Sequence, residues 1–130
     1  MTNLEILQKS PMELESYLYS NFSFVLPDKI ETAQDLADAQ VMLSKLTNTY
    51  SYITHLATLA KNLVRITKRD YKNDKDKCND AVDRKDTVAE FKETIKINIS
   101  SLSRMITIKQ EINKELNMSN SIDSMYGRAI

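Results

Sequence analysis

From Thr32 onward, hydrophobic positions along this chain recur at helical spacing almost without interruption. Leu36, Ala39, Leu43, Leu46, Tyr50, Ile53, Ala57, Ala60 and Val64 step alternately by three and four, the pattern of a helix that buries one seam against a neighbour. A second stripe, Leu56, Leu59, Leu63 and Ile66, widens that face in its later half. Beyond a polar stretch at residues 73–80, Ala81, Val88, Ile95, Leu102, Lys109 and Leu116 recur every seven residues. Phe91, Met105 and Ile112 join this second seam, and Ile99 and Ile106 flank it. Between Pro27 and Gly127 there is neither proline nor glycine, the strongest local interrupters of regular structure.

The pattern predicts an all-α fold dominated by a long, coiled-coil-like antiparallel hairpin over residues 32–118. Its two arms are nearly equal, each roughly 60 Å at ~1.5 Å per residue. Thr32 and Asp35 supply the start signal of the first arm. The apex is expected near residues 73–80, with Asn73 and Asp74 as turn formers and Asn79 or Asp80 capping the second arm. One continuous rod through 73–80 is the structural alternative, because that stretch contains no helix breaker.

Residues 1–31 read as short helices followed by a loop. Thr2-x-x-Glu5 has capping-box spacing, and Ser10-Pro11-Met12-Glu13 repeats the start signal with proline at the first helical position. Leu14, Tyr17, Leu18 and Phe22 form an apolar face, and Val25 before Leu26-Pro27 is expected to be extended. Ser119-Asn120-Ser121 is expected to end the second arm, leaving residues 119–130 as a tail that is mobile or docked on a partner.

Two helices facing only each other need one seam each, whereas these arms carry widened ones. Either the N-terminal helices or a second copy must cover the surplus. The expected self-contact surface comprises Tyr17, Phe22, Leu56, Leu59, Leu63, Ile66, Ile99 and Ile106, closing a bundle by homo-oligomerisation.

Net charge is zero, yet the charges are blocked along the chain. Residues 1–40 are acidic, with Glu13, Glu15, Glu31, Asp35 and Asp38 among their carboxylates. Lys45, Lys61, Arg65, Lys68, Arg69 and Lys72 face only Asp70 in residues 41–72. Steps of four, three and four put Lys61, Arg65, Lys68 and Lys72 on one helical face, with Arg69 alongside. Such a stripe can follow a nucleic-acid backbone through phosphate contacts. It can equally zip the hairpin against Asp80, Asp83, Asp86, Glu90 and Glu93, where each exposed pair adds only ~0.2–1 kcal/mol but the ladder selects register.

The chemistry of an enzyme is not legible here, and neither a cofactor nor a metal site is expected. His55 is the single histidine and reads as a partly buried helix residue. Cys78 is the single cysteine and has lysines nearby but no adjacent histidine to activate it. Asp74-x-Asp76-x-Cys78-x-Asp80 imitates a calcium loop but carries Asn79 and Lys85 where glycine and glutamate are required. The lone cysteine, the lack of a basic-plus-apolar leader, and the absence of an apolar run of ~20 residues point to a cytoplasmic setting without membrane contact.

The layout and the Lys, Asn and Ile richness resemble small phage-encoded helical proteins, and in particular the recombination-mediator family of T-even-like phages. The resemblance spans residues 33–116 and rests on the basic end of the first arm, Lys61 to Lys72, and on Ser103-Arg104-Met105-Ile106-Thr107-Ile108-Lys109. It implies a small oligomeric helical protein, in the host cytoplasm, that helps load a recombinase onto single-stranded DNA. The expectation is therefore a non-enzymatic accessory protein of nucleic-acid metabolism. It would bind single-stranded DNA or a DNA-bound protein through Lys61, Arg65, Lys68, Arg69 and Lys72. The competing expectation is a protein-only interaction module, such as an inhibitor of a host defence enzyme or an assembly adaptor, with the acidic N-terminal block mimicking phosphate charge.

Overall fold

A computed structural model describes the backbone of residues 1–127 and the side chains of residues 1–119. Four helices follow in order: α1 (Asn3–Leu7), α2 (Pro11–Phe22), α3 (Ala33–Asp70) and α4 (Lys75–Gly127). The protein is all-α, and α3 and α4 form the long hairpin.

Each helix start satisfies backbone donors that would otherwise lack partners. Thr2 accepts from the Glu5 amide at 3.2 Å and Ser10 from the Glu13 amide at 3.3 Å. At α3 the box is reciprocal: Thr32 Oγ1 accepts from Asp35 N at 3.0 Å while Asp35 Oδ2 accepts from Thr32 N at 3.1 Å. Glu31 N donates to the same carboxylate oxygen at 3.1 Å, so donors converge on Asp35 and hold its carboxyl below the usual carboxylate range.

The hairpin turns earlier than the sequence suggests. Tyr71 closes α3 by donating from its amide to Thr67 O, and Asp74 N donates to Tyr71 O at 2.9 Å. The cap of α4 is Asp74, whose Oδ1 accepts from Lys77 N at 3.1 Å, rather than Asn79 or Asp80. Asp74 prevails because it combines turn preference and capping ability in one residue immediately after α3 ends. The Cys78 thiol then donates back toward Tyr71 O at 3.4 Å, joining the first turn of α4 to the last of α3.

At the other end, α4 runs through Ser119-Asn120-Ser121 to Gly127 instead of stopping near Met118. Serine and asparagine cost a helix only fractions of a kcal/mol, roughly 0.5 each, and no proline enforces an end there. Residues 128–130 of the expected tail lie outside the described residues. Since α4 has 53 residues and α3 has 38, starting from a shared turn, α4 projects past the start of α3 by 15 residues, roughly 22 Å at ~1.5 Å per residue.

The core is aliphatic with a single fully buried aromatic, Phe91. Ile6, Leu7, Leu14 and Leu18 from α1 and α2 join Ala39, Leu46, Ile53, Leu56 and Ala60 of α3. Val88, Phe91, Ile95, Leu102 and Ile106 complete it from α4. The surplus apolar stripe is thus covered by the N-terminal helices of the same chain. Aromatic edges lock that layer: Tyr19 meets Phe91 at 4.9 Å between ring centroids, and Phe22 meets Tyr52 at 5.5 Å. Two polar contacts fasten it as well, Tyr52 Oη to Asn3 Oδ1 at 2.7 Å and Arg84 Nε to Lys9 O at 2.6 Å.

Candidate nucleic-acid interface

Lys61, Arg65, Lys68 and Arg69 come from the last third of α3, Lys72 lies in the turn beyond its end at Asp70, and all five are exposed. The helix keeps Lys61, Arg65 and Lys68 in one row, as steps of four and three require. Lys72, expected on the same helical face, follows the helix end at Tyr71 and is not held in that row by the helix. Arg69 is spent locally: its Nε lies 2.9 Å from Asp70 Oδ1, and the hydrogen bond and charge of the guanidinium hold that carboxyl below the usual carboxylate range. The other four cations make no ion pair among the described residues.

That observation removes the expected charge zipper. Ion pairs among the described residues are Lys29–Glu31 at 3.8 Å, Arg69–Asp70 at 2.9 Å and Lys85–Asp86 at 3.8 Å, each within one helix or loop. None joins α3 to α4. The physical reason is the order of residues around each helix. The seam between the arms is taken by apolar side chains, and Asp83, Asp86, Glu90 and Glu93 stand exposed on α4 with no α3 cation in ion-pair reach.

Between the arms Lys61 lines a groove of about 370 Å³ with Thr54, Ala57, Thr58, Lys85, Asp86, Ala89 and Lys92, none of them from α1 or α2. Lys85 and Lys92 are half-buried, and the Lys92 ammonium stands 5.6 Å from the centroid of the Tyr50 ring. Thr54 and Thr58 donate their hydroxyl protons to the carbonyls of Tyr50 and Thr54, at 2.8 and 3.2 Å, leaving the groove's positive character to the lysines. Sequence reasoning missed Lys85 and Lys92. Their seven-residue spacing beside Val88 was the available signal, masked by the carboxylates around them.

The expected self-contact residues are largely occupied within the chain. Leu56 and Ile106 are buried, which takes them out of any partner surface. Tyr17, Phe22, Leu59, Leu63 and Ile99 pack half-buried against that core, and Ile66 is half-buried too. Exposed apolar side chains are found instead late in α4: Ile108, Ile112, Leu116 and Met118.

Other candidates resolve locally. His55 is exposed rather than partly buried. Glu31 faces Lys29, Asp35 serves as a cap, and Asp38 accepts from Gln34 Nε2 at 2.7 Å, so the acidic N-terminal block is partly consumed by its own helix start. Among the described residues no group of three or more His, Cys, Asp or Glu side chains is placed to hold a metal ion, and no helix is long and apolar enough to cross a membrane.

The fold and surface define a helical hairpin with an N-terminal covering layer, a basic ridge on one arm and a lysine-lined groove beside it. No protein-family model, curated protein or solved structure matches the chain.

Proposed function

We propose that this is a non-enzymatic helical accessory protein of nucleic-acid metabolism, of the recombination-mediator type its sequence resembles, which binds single-stranded DNA along the basic ridge of α3. The observation that supports this reading is the solvent-facing row Lys61, Arg65 and Lys68, with the exposed Lys72 in the turn that follows, all without a carboxylate partner among the described residues. Unpaired cations in a row neutralise consecutive phosphates and release their counterions, which is the main driving force for binding a strand without sequence preference. The test is binding of an oligo-dT strand followed by fluorescence anisotropy across a salt series. Each phosphate contact contributes a slope of about −0.7 in log K against log[salt]. Replacing Lys61, Arg65, Lys68, Arg69 and Lys72 by Ala is expected to flatten that slope and abolish binding at physiological salt. Unchanged affinity in that variant rules out the ridge.

A second reading is favoured by the exposed apolar row Ile108, Ile112 and Leu116 late in α4. There the protein acts through another protein, either a second copy of itself or a partner such as a host enzyme or an assembly component. Absence of strand binding at low salt, together with a stable stoichiometric protein complex, selects this reading over the first.

A further inference from the structure

Three lysines from two helices converge on one groove whose lining includes a single carboxylate. Lys61 comes from α3, and Lys85 and Lys92 from α4; Asp86 sits 3.8 Å from Lys85 and neutralises at most one of the three. No residue before Thr54 lines the groove, so the N-terminal layer leaves this side open. Its lining includes small side chains: Ala57 stands where Leu43 and Tyr50 stand two and one heptads earlier, and Ala89 contributes from α4. A hairpin built only for stability would fill such a site with a large aliphatic residue, because an open groove forfeits packing. Here the space is kept, and it is lined by three ammonium groups against one carboxylate, an excess of positive charge that favours an anion. At about 370 Å³ it lies at the small end of ligand-site volumes, which run from ~300 to ~1,000 Å³.

We propose that the α3–α4 groove bounded by Lys61, Lys85 and Lys92 is a phosphoanion-binding site. The ligand is a phosphoryl group, whether of a free diphosphate or of a polynucleotide strand. Only the second source rests on the function proposed above. Lys61 belongs to both surfaces, so a strand lying on the α3 ridge can turn one phosphate into the groove.

The test uses the full chain with inorganic pyrophosphate as the first probe and oligo-dT as the second, at about 50 mM salt so that phosphate contacts are not screened. Pyrophosphate is expected to bind saturably and to shift the amide signals of Ala57 and Ala89 in a nitrogen–proton correlation spectrum. The Lys85→Gln/Lys92→Gln variant is expected to bind it at least about tenfold more weakly, while Lys85→Arg/Lys92→Arg retains binding. Substituting Arg65, Lys68 and Lys72 by Ala leaves pyrophosphate affinity nearly unchanged if the groove is the site. Failure of pyrophosphate to saturate, shifts confined to residues 65–72, or full affinity in the folded Gln variant overturns the proposal. Oligo-dT that competes with pyrophosphate identifies the strand as the source; oligo-dT that binds without competing identifies the free phosphoanion. Pyrophosphate bound in the groove with no strand binding at all supports the groove and refutes the strand-binding function. Strand binding without any pyrophosphate binding does the reverse.

Discussion

Arg84 of α4 donates from Nε to the backbone carbonyl of Lys9, 2.6 Å away, and so ties the junction between α1 and α2 to the far arm of the hairpin. That junction directs α2 across α4, where Tyr19 meets Phe91. Hydrogen bonds from charged donors contribute about 1.5–3 kcal/mol. Arg84→Ala is therefore expected to lower unfolding stability by about 2 kcal/mol, read as a reduced urea midpoint with unchanged slope. An unchanged midpoint would show that Leu14 and Leu18 hold the N-terminal layer without this bond.

Tyr52 provides a pH test of the same layer. Burial, and to a smaller extent the neighbouring Tyr17, raises its phenol above the usual value of 10.0, so the folded state favours the neutral form that donates to Asn3. Above pH ~10 the unfolded chain releases this proton first, and stability present below that pH is lost as pH rises through the folded value. Tyr52→Phe is expected to cost about 1 kcal/mol near neutrality and to make the alkaline limb of the stability profile shallower. Thermal melts between pH 8 and 11 would read both effects, and identical alkaline limbs would discount the phenol.

Asp35 has the opposite sign. Amide donors from Thr32 and Glu31, with the Thr32 hydroxyl, lower its carboxyl below the model-peptide value of 3.8. The capping box is fully effective above that value and is lost as pH falls through the lower folded value. Asp35→Asn is expected to destabilise the protein at pH 7 but to match wild type at the acid end, since protonation there disables the wild-type cap as well. Chemical unfolding at a series of pH values checks this, and a difference that persists undiminished in acid would contradict it.

Much of this architecture was legible because one physical signal repeats. A core position such as Leu46, Ile53, Val88 or Ile95 is announced by its neighbours at three, four and seven residues, and an uninterrupted helix allows no phase error to accumulate. The three N-terminal caps were legible for the same reason, since a cap is a contact over three residues. What was not legible depends on rotation about a helix axis between partners. The basic and acidic stripes have matching spacings, yet no ion pair joins them among the described residues, and one-dimensional spacing does not encode how close two helix faces come. The covering of Leu56 and Leu63 by α1 and α2 was likewise one of two open solutions. Nothing in the residues themselves distinguishes an internal cover from a second copy. The groove escaped notice because Lys85 and Lys92 alternate in sequence with Asp83, Asp86, Glu90 and Glu93, of which only Asp86 lines it.

The turn offers a local check on the antiparallel arrangement. Asp74 caps α4 through Lys77 N, while the Cys78 thiol reaches Tyr71 O from the next turn. Loss of such a cap typically costs about 1 kcal/mol. Asp74→Ala is expected to lower stability by about that amount while Asn79→Ala, an exposed position inside the helix, changes it by less than ~0.5 kcal/mol. Equal effects at the two positions would place the start of α4 later than Lys75.

The late part of α4 separates folding from association. Ile112 and Leu116 are 44% and 55% exposed, whereas Leu102, on the same helix, is fully buried. Replacing Leu102 by Ala removes side-chain volume from a packed interior and is expected to cost about 2–5 kcal/mol. Replacing both Ile112 and Leu116 by Asn deletes little buried area, so the melting temperature of the monomeric unit is expected to hold, within ~0.5 kcal/mol per site. If a second copy covers this row, wild type sediments above its 15.0 kDa chain mass and the double Asn variant returns to that mass with its helical spectrum intact. A wild type that already sediments as a monomer at tens of micromolar excludes the second copy. A double variant that still associates moves the contact away from α4, and one that loses helicity shows the row to be part of the fold instead.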